Sequence, residues 1–276
     1  MKNPRNFSFR EYIAYLLPAI KLERNGNIWE NDSIVKEYSI QTTLHKPEQT
    51  ILNILKPILP NMKMLDIGVG AGRTTIQFAP LVKEYIGIDY SANMLNACKK
   101  KFSGNKKWIF RGANATNLHA FSDNQFDFVM FSFNGLDYVL YHQDRQKALS
   151  EIQRVLKING YFYFTTHNLN YLWRFCEFKS LDRHEIRRML LMRIYNWKSW
   201  KIIRDRNKKI TFITANNGSH NFRAPSHFVS PKSQVIALRN LGFKEICVFD
   251  LDGKLIEASS VDKNDNNCYL HYLCQK

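Results

Sequence analysis

Three glycines at alternating positions form the segment of this sequence best suited to binding a ligand. Leu65–Gly72 reads LDIGVGAG, and its glycines follow an apolar run predicted as a strand and precede a predicted helix. Because glycine lacks a Cβ, such a loop can turn sharply and let a ligand approach the backbone at the start of a helix. Arg73 stands where the dinucleotide-binding pattern G-x-G-x-x-G requires glycine, which weakens the dinucleotide interpretation.

An acidic residue follows at the predicted end of the next strand. Asp89 lies in Gly87–Tyr90 (GIDY), 17 residues after Gly72. A carboxylate offers only hydrogen-bond acceptors, so it can hold both hydroxyls of a ribose. By itself an aspartate here is equally typical of a cap on the following helix. Its spacing from the glycine loop favours a nucleoside site.

These segments together resemble the class I methyltransferases that use S-adenosylmethionine (SAM). The resemblance extends from about Tyr38 to Phe249 and includes Phe126–Val129 (FDFV) and Ile152–Lys157 (IQRVLK). It implies SAM as the cofactor and methyl transfer as the reaction. Where the family often has a Lys-Pro-Gly-Gly turn, this chain has KING at 157–160. Asn159 tolerates left-handed backbone, so we expect the turn to be kept.

The resemblance also assigns a set of cofactor-binding positions. Asp66 and the glycines would lie near the methionine end, although Asp66 could instead brace the loop through backbone hydrogen bonds. An aspartate often holds the adenine amino group in this family; Asn114 stands there in this chain, and its amide oxygen can accept the same hydrogen bond. The full set is Tyr38, Asp66, Gly68, Gly70, Gly72, Asp89, Tyr90, Asn114 and Ala115.

Alternating short apolar and longer amphipathic runs between Lys63 and Thr166 predict repeated βα units. We therefore expect an α/β fold with a doubly wound, mostly parallel, seven-stranded sheet. The predicted strands are 62–67, 85–88, 108–111, 126–131, 161–166, 244–249 and 268–273, with a strand-like piece at 210–214. The predicted helices are 73–81, 91–102, 145–156, 183–197 and 231–239. The predicted organisation is a helical N-terminal cover (1–60), the SAM-binding core (61–168), a basic lid (169–222) and the C-terminal completion of the core (223–276).

The acceptor should bind beyond the carboxyl ends of the fourth and fifth strands, where ligands of open α/β sheets lie. His167 is the first candidate base, since its ordinary pKa suits proton transfer near neutrality; it could equally be a hydrogen-bonded residue that closes the strand. Asp137 and His142 are the second candidates, and Asp137 could instead cap a turn. Asn134, Tyr138, Tyr141 and Asn168 are expected to contact the acceptor.

Two sequence features that are absent from this chain argue against particular classes of methyl acceptor. Phe131–Asn134 (FSFN) replaces the Asn-Pro-Pro-Tyr or Asp-Pro-Pro-Tyr tetrapeptide associated with methylation of planar amines in DNA or glutamine side chains. There is no cysteine at the tip of the fourth strand, which disfavours a covalent pyrimidine mechanism. We expect transfer to an oxygen or nitrogen atom of a small acceptor.

The formal net charge of +16 suggests three explanations for the basic insertion. Residues 169–222 hold 12 Arg or Lys and 4 Asp or Glu, so they carry +8, half of the total. They could form a lid for an anionic acceptor such as a nucleotide-sugar, a phosphorylated metabolite or a glycan. They could contact nucleic acid, with Trp173, Trp197 and Trp200 stacking on bases, or simply be solvated. The alternatives to a small-molecule enzyme are an RNA methyltransferase and a SAM-binding protein without activity.

The remaining features favour a cytoplasmic protein without a membrane span or a metal. Five widely spaced cysteines, with no C-x-x-C, argue against a disulfide framework or a zinc site. No stretch reaches the roughly 18 apolar residues of a membrane span. The apolar run Tyr12–Ile20 is short and follows Glu11; we interpret it as an amphipathic helix and not a signal peptide.

Overall fold

A computed structural model of the chain describes residues 28–177, 180, 182–197, 199–204, 210–264 and 266–276. The predicted helix at Tyr12–Ile20 lies outside these residues, as do five basic residues of the insertion. Those five are Lys179, Lys198, Arg206, Lys208 and Lys209. Within the described part of the chain, no helix is both long and apolar enough to cross a membrane.

The described residues form one sheet of nine strands. Their bounds are β1 Lys63–Ile67, β2 Glu84–Asp89, β3 Ile109–Gly112, β4 Phe126–Phe131, β5 Leu156–Asn168, β6 Phe212–Ala215, β7 Ser226–Val229, β8 Lys244–Phe249 and β9 Tyr269–Gln275. β3, β2, β1, β4 and β5 lie side by side in that order, and all four pairings are parallel. β9 is antiparallel to β5, and β8 is antiparallel to β9. Parallel pairing brings the carboxyl ends of the first strands, and the loops that follow them, to one edge.

Helices cover both faces of this sheet. Their bounds are α1 Asp32–Ser39, α2 Lys46–Leu55, α3 Thr75–Phe78, α4 Ala92–Lys101, α5 His142–Val155, α6 Arg183–Tyr195, α7 Trp200–Arg204, α8 Ser219–Phe222 and α9 Pro231–Asn240. Short 3-10 turns occur at Leu59–Asn61, Ala79–Leu81, Gly135–Tyr138, Leu169–Cys176 and Val261–Lys263. The apolar stripe of α5 packs on one face of the sheet together with α9. The apolar residues of α2 pack on the other face.

The sheet confirms the predicted doubly wound α/β fold but has two more strands than the seven expected. β6 and β7 pair antiparallel with each other. β7 also pairs in parallel with the end of β5, where Phe228 lies opposite His167. The predicted strand 161–166 covers only about half of β5, because β5 starts at Leu156 and continues through the KING turn. Asn159 adopts the expected left-handed backbone, with φ of 62°.

Candidate active site

The glycine loop between β1 and α3 adopts backbone angles that favour glycine at each of its three glycines. Gly68, Gly70 and Gly72 have φ of 65°, 54° and 82°. A Cβ on Gly72 would lie 2.3 Å from the Phe102 ring, whereas a Cβ on Gly70 would meet only the Gly68 carbonyl oxygen, at 4.0 Å. Gly72 is therefore needed for packing, and Gly70 leaves space beside the backbone.

Asp89 fixes the glycine loop against the end of β2. Its Oδ2 accepts a hydrogen bond from the Gly70 N–H at 2.8 Å, and its Oδ1 accepts one from the Ser91 N–H at 2.9 Å. Burial raises the pKa of Asp89, and these backbone hydrogen bonds lower it by less. Each oxygen of the carboxylate retains a lone pair for a further donor.

Asp66 lies beneath the same loop and is fully buried. Its Oδ2 accepts hydrogen bonds from the hydroxyls of Thr74 and Tyr85, both at 2.7 Å. Its Oδ1 has no hydrogen-bond partner among the described residues. Burial raises the pKa of Asp66 to about 7, although the two hydroxyls oppose the shift.

A cavity of about 420 Å³ opens beside the glycine loop and Asp89. This volume is within the range of roughly 300–1,000 Å³ typical of small-molecule sites. Nine of the sixteen residues predicted for the site line it, namely Tyr38, Gly68, Gly70, Asp89, Tyr90, Asn114, Ala115, Tyr138 and Tyr141. Seven predicted residues do not line it, namely Asp66, Gly72, Asn134, Asp137, His142, His167 and Asn168.

Aromatic side chains form the part of the cavity lining that lies beside the glycine loop. Trp29 meets Tyr38 edge to face at a centroid distance of 5.6 Å and Tyr138 at 4.8 Å. Tyr38 in turn meets Phe133 at 6.0 Å. Phe133 follows the tip of β4, and its left-handed φ of 52° is unusual for a residue other than glycine. We call Trp29, Tyr38, Phe133 and Tyr138 the aromatic wall.

Arg73 also lines the cavity, and its charge is already paired. The guanidinium donates two hydrogen bonds to the Glu48 carboxylate, at 2.5 and 2.6 Å, and one to the Thr43 carbonyl oxygen at 3.2 Å. Glu48 is buried in α2, and burial raises its pKa, but Arg73 and the His45 backbone N–H together outweigh burial and hold the pKa of Glu48 below its ordinary value. The pair joins α2 to the glycine loop.

Asp137 does not line the cavity, and neither does His167, whose ring is hydrogen-bonded to the Asp137 carboxylate. Its carboxylate accepts hydrogen bonds from the Arg145 guanidinium at 2.8 Å and from both the backbone N–H and the ring of His167. Burial raises the pKa of Asp137, but the charge of Arg145 together with His167 and the Thr166 hydroxyl outweighs burial, so the net pKa lies below the ordinary value. This buried network fastens the turn Gly135–Tyr138 to β5. The geometry therefore does not support either residue as the base.

The other three acceptor-side predictions also have structural partners or lie away from the cavity. The His142 ring stacks on Phe212 at 3.9 Å, on the side of the β6–β7 pair. Asn168 is buried, and its amide donates to carbonyl oxygens of 264 and 267 while its oxygen accepts from the Asn170 N–H. Asn134 is buried at the tip of β4, and its Oδ1 has no partner in the described part of the chain.

Asn114 lines the cavity, but its amide oxygen is engaged. The oxygen accepts hydrogen bonds from the backbone N–H and the hydroxyl of Thr116, both at 3.0 Å. A carbonyl oxygen has two lone pairs, so the predicted bond from an adenine amino group has no free acceptor in this rotamer.

Comparison with known proteins agrees with this geometry. Residues 65–164 match the family model described as "Methyltransferase domain". The uncharacterized methyltransferase YcgJ of Bacillus subtilis is 34% identical over 108 residues, which are 38% of this chain and 40% of YcgJ. A demethylmenaquinone methyltransferase of Clavibacter sepedonicus is 34% identical over 98 residues, 36% of this chain and 38% of the relative. The chain thus spans about two fifths of the length of these curated relatives.

A solved structure shows the same fold over a larger part of the chain. The SAM-dependent methyltransferase of Methanosarcina mazei superposes with a TM-score of 0.54 and 20% identity, covering 81% of this chain and 96% of that one. Residues 65–164 thus match a methyltransferase domain, and the described chain has the fold of a SAM-dependent methyltransferase. SAM is the cofactor that this similarity implies.

The residues present in the methyltransferase domain fit SAM. Gly70 has no side chain that could fill the space beside the loop, and Asp89 retains acceptors for two ribose hydroxyls. Tyr90 lines the cavity and exposes half of its surface. The structure thus brings the loop, Asp89 and Tyr90 to one cavity, as the sequence predicts.

Several residues that line the cavity are not among the predicted site residues, and Trp29, Arg73 and Asp144 are three of them. The sequence places Trp29 in the predicted helical cover, and Arg73 bears there only on the exclusion of a dinucleotide site. Asp144 was missed because the predicted helix started at Arg145, whereas α5 starts at His142 and places Asp144 in its first turn. An acidic residue just before an amphipathic run is a typical signal of a helix start, and it could have been read there.

Proposed function

We propose that the protein is an enzyme that transfers the methyl group of SAM to an oxygen or nitrogen atom of a small acceptor. The observation that carries the proposal is that one cavity is lined by two kinds of residues. The glycine loop with Asp89 forms one part of the lining, and the aromatic wall forms another. A methyl donor held by the first part and an acceptor packed on the second would share this cavity of about 420 Å³.

The chain's own residues would contribute chiefly by alignment. Bound SAM supplies an electrophilic methyl group, and transfer requires the acceptor atom in line with it. Asp89 and the loop glycines would hold the nucleoside and methionine ends, while the Gly135–Tyr138 turn, fastened by Asp137, would hold Tyr138 against the acceptor. Burial raises the pKa of Tyr138 to about 12, so its hydroxyl stays protonated near neutrality and can donate a hydrogen bond.

The charge around the cavity gives no support for an anionic acceptor. The charged residues that line it within the described chain are Arg73, Asp89 and Asp144, and Arg73 is paired with Glu48. None of the six basic side chains of the insertion that the structure describes lines the cavity. The predicted role of the insertion as a lid for an anion therefore has no support from the described residues.

A labelling experiment tests the proposal against its two rivals. The full chain is incubated with SAM carrying a tritiated methyl group and either a small-molecule extract or total RNA of the source cells. We expect label in low-mass products, lost in Asp89→Ala and kept in the exposed control Asp123→Ala. Label in RNA would favour an RNA methyltransferase. Binding of S-adenosylhomocysteine without any transfer would favour a SAM-binding protein.

A further inference from the structure

We propose that the acceptor is an amine carried on a flat, apolar body, an inference that rests on the proposed function. Two features of the cavity lining support it: an unpaired carboxylate and the aromatic wall.

The unpaired carboxylate is that of Asp144. Asp144 lies in the first turn of α5, lines the cavity and is exposed. It makes no ion pair or hydrogen bond among the described residues, whereas Arg73, the cation of the cavity lining, is bound to Glu48. The unpaired charge that Asp144 adds to the cavity lining is therefore negative, although the chain as a whole carries +16. A carboxylate or phosphate would be repelled there, and an ammonium group would be attracted.

The aromatic wall suits the same acceptor. Trp29 stands nearly perpendicular to Tyr38 and Tyr138, with interplanar angles of 82° and 78°. Rings packed in this way present faces and edges to a neighbouring group from different directions. The face of an aromatic ring attracts a cation, most strongly for tryptophan, and a flat apolar body packs well against such rings.

The transfer is chemically balanced without a further reactant. The neutral amine nitrogen donates its lone pair to the methyl carbon of SAM. The carbon–sulfur bond breaks, and its electron pair passes to sulfur to give neutral S-adenosylhomocysteine. The positive charge moves to the methylated nitrogen, which later releases a proton to water. Asp144 would stabilise the cationic forms of acceptor and product.

Three probes that share a phenylethyl group test the inference on the full chain. 2-Phenylethylamine, 2-phenylethanol and 3-phenylpropanoate differ in the terminal group, which is an ammonium, a hydroxyl or a carboxylate. Binding of each is measured by calorimetry on protein saturated with S-adenosylhomocysteine, whose own binding is measured first. We expect the amine to bind about tenfold more tightly than the carboxylate, with the alcohol between them.

Two pairs of variants identify the groups responsible. Asp144→Asn should weaken the amine about fivefold and leave the alcohol unchanged, as expected for an exposed ion pair. Asp32→Asn is the matched control, because Asp32 is also an exposed acid in the first turn of a helix and does not line the cavity. Trp29→Leu should weaken the amine more than Trp29→Phe, which keeps an aromatic face.

The outcomes separate this inference from the proposed function. If S-adenosylhomocysteine does not bind, the proposed function fails. If it binds but the carboxylate binds as tightly as the amine, or none of the three probes binds, the amine inference is overturned while the methyltransferase proposal stands. An unchanged amine affinity in Asp144→Asn would also overturn it.

Discussion

The Asp89 carboxylate accepts a hydrogen bond from the Gly70 N–H at 2.8 Å, which joins the end of β2 to the glycine loop after β1. The same carboxylate accepts from the Ser91 N–H at the start of α4. The Asp89 side chain thus shapes the loop and also lines the cavity. Removing its charge should affect both the loop conformation and ligand binding. The loop glycines have separate roles, since Gly72 is needed for packing and Gly70 leaves space for the ligand.

The two glycines Gly70 and Gly72 should respond differently to alanine. Gly72→Ala places a Cβ 2.3 Å from the Phe102 ring, so we expect a loss of about 3 kcal/mol in unfolding free energy from overpacking and left-handed strain. Gly70→Ala meets no such clash and should lose about 1 kcal/mol, but its methyl group would weaken S-adenosylhomocysteine about tenfold. Urea unfolding and calorimetry measure the two effects. Equal stability losses in both variants would contradict this division.

Asp66 should make the protein less stable as the pH rises from about 4 to about 7. Burial raises its pKa from 3.8 to about 7 in the folded protein. The folded state therefore binds the proton more tightly than the unfolded state, and stability is lost between these two values as pH rises. The full difference corresponds to roughly 4 kcal/mol.

Asp66→Asn isolates this contribution from other titrating groups. The amide keeps an acceptor for Thr74 and Tyr85 and has no proton to lose. We expect the difference in unfolding free energy between the natural protein and the variant to fall as pH rises from 5 to 7. A difference that stays constant over this range would show that Asp66 is ionised throughout.

The buried pair of Arg73 and Glu48 should behave as one unit. Removing either charge leaves the other buried and unpaired, so Arg73→Met and Glu48→Gln should each cost about 3–5 kcal/mol. The double variant should cost less than the sum of the two by about 2 kcal/mol. Urea unfolding of the natural protein, the two single variants and the double variant provides a double-mutant cycle. Additive losses would mean that the two charges do not depend on each other.

His167 should be a structural residue with no effect on the cofactor. Its ring and backbone N–H donate to Asp137, and it does not line the cavity. We expect His167→Ala to lose about 2 kcal/mol in stability and to change S-adenosylhomocysteine affinity by no more than about twofold, or 0.4 kcal/mol. His119→Ala, at a mostly exposed histidine, is the control. Weakened ligand binding with unchanged stability would contradict the structural role.

Local patterns in the sequence predicted the elements of the core because each depends on nearby residues. β4 and β8 have the predicted bounds, Ser91 caps α4 as expected, and Ser230 caps α9. The glycine loop could be recognised because its backbone angles demand glycine.

The acceptor side could not be predicted because long-range pairing decides it. His167 looked like a base by type and position, but burial beside Asp137 and Arg145 engages its ring. β7 is only four residues long and is defined by pairing with β5 and β6. Trp29 lies 34 residues before Lys63, the first residue of β1, and no local sequence pattern spans that separation.

Calorimetric titration of the full chain with SAM and S-adenosylhomocysteine tests the central claim most directly. We predict that both ligands bind at one site. Asp89→Ala should weaken them at least about 100-fold, or 2.7 kcal/mol, because two hydroxyl partners and the Gly70 contact are lost together. Asp123→Ala, an exposed acid paired with Arg154, should bind as the natural protein does. Absence of binding to the natural protein, or equal binding to Asp89→Ala, would contradict the assignment of this cavity to SAM.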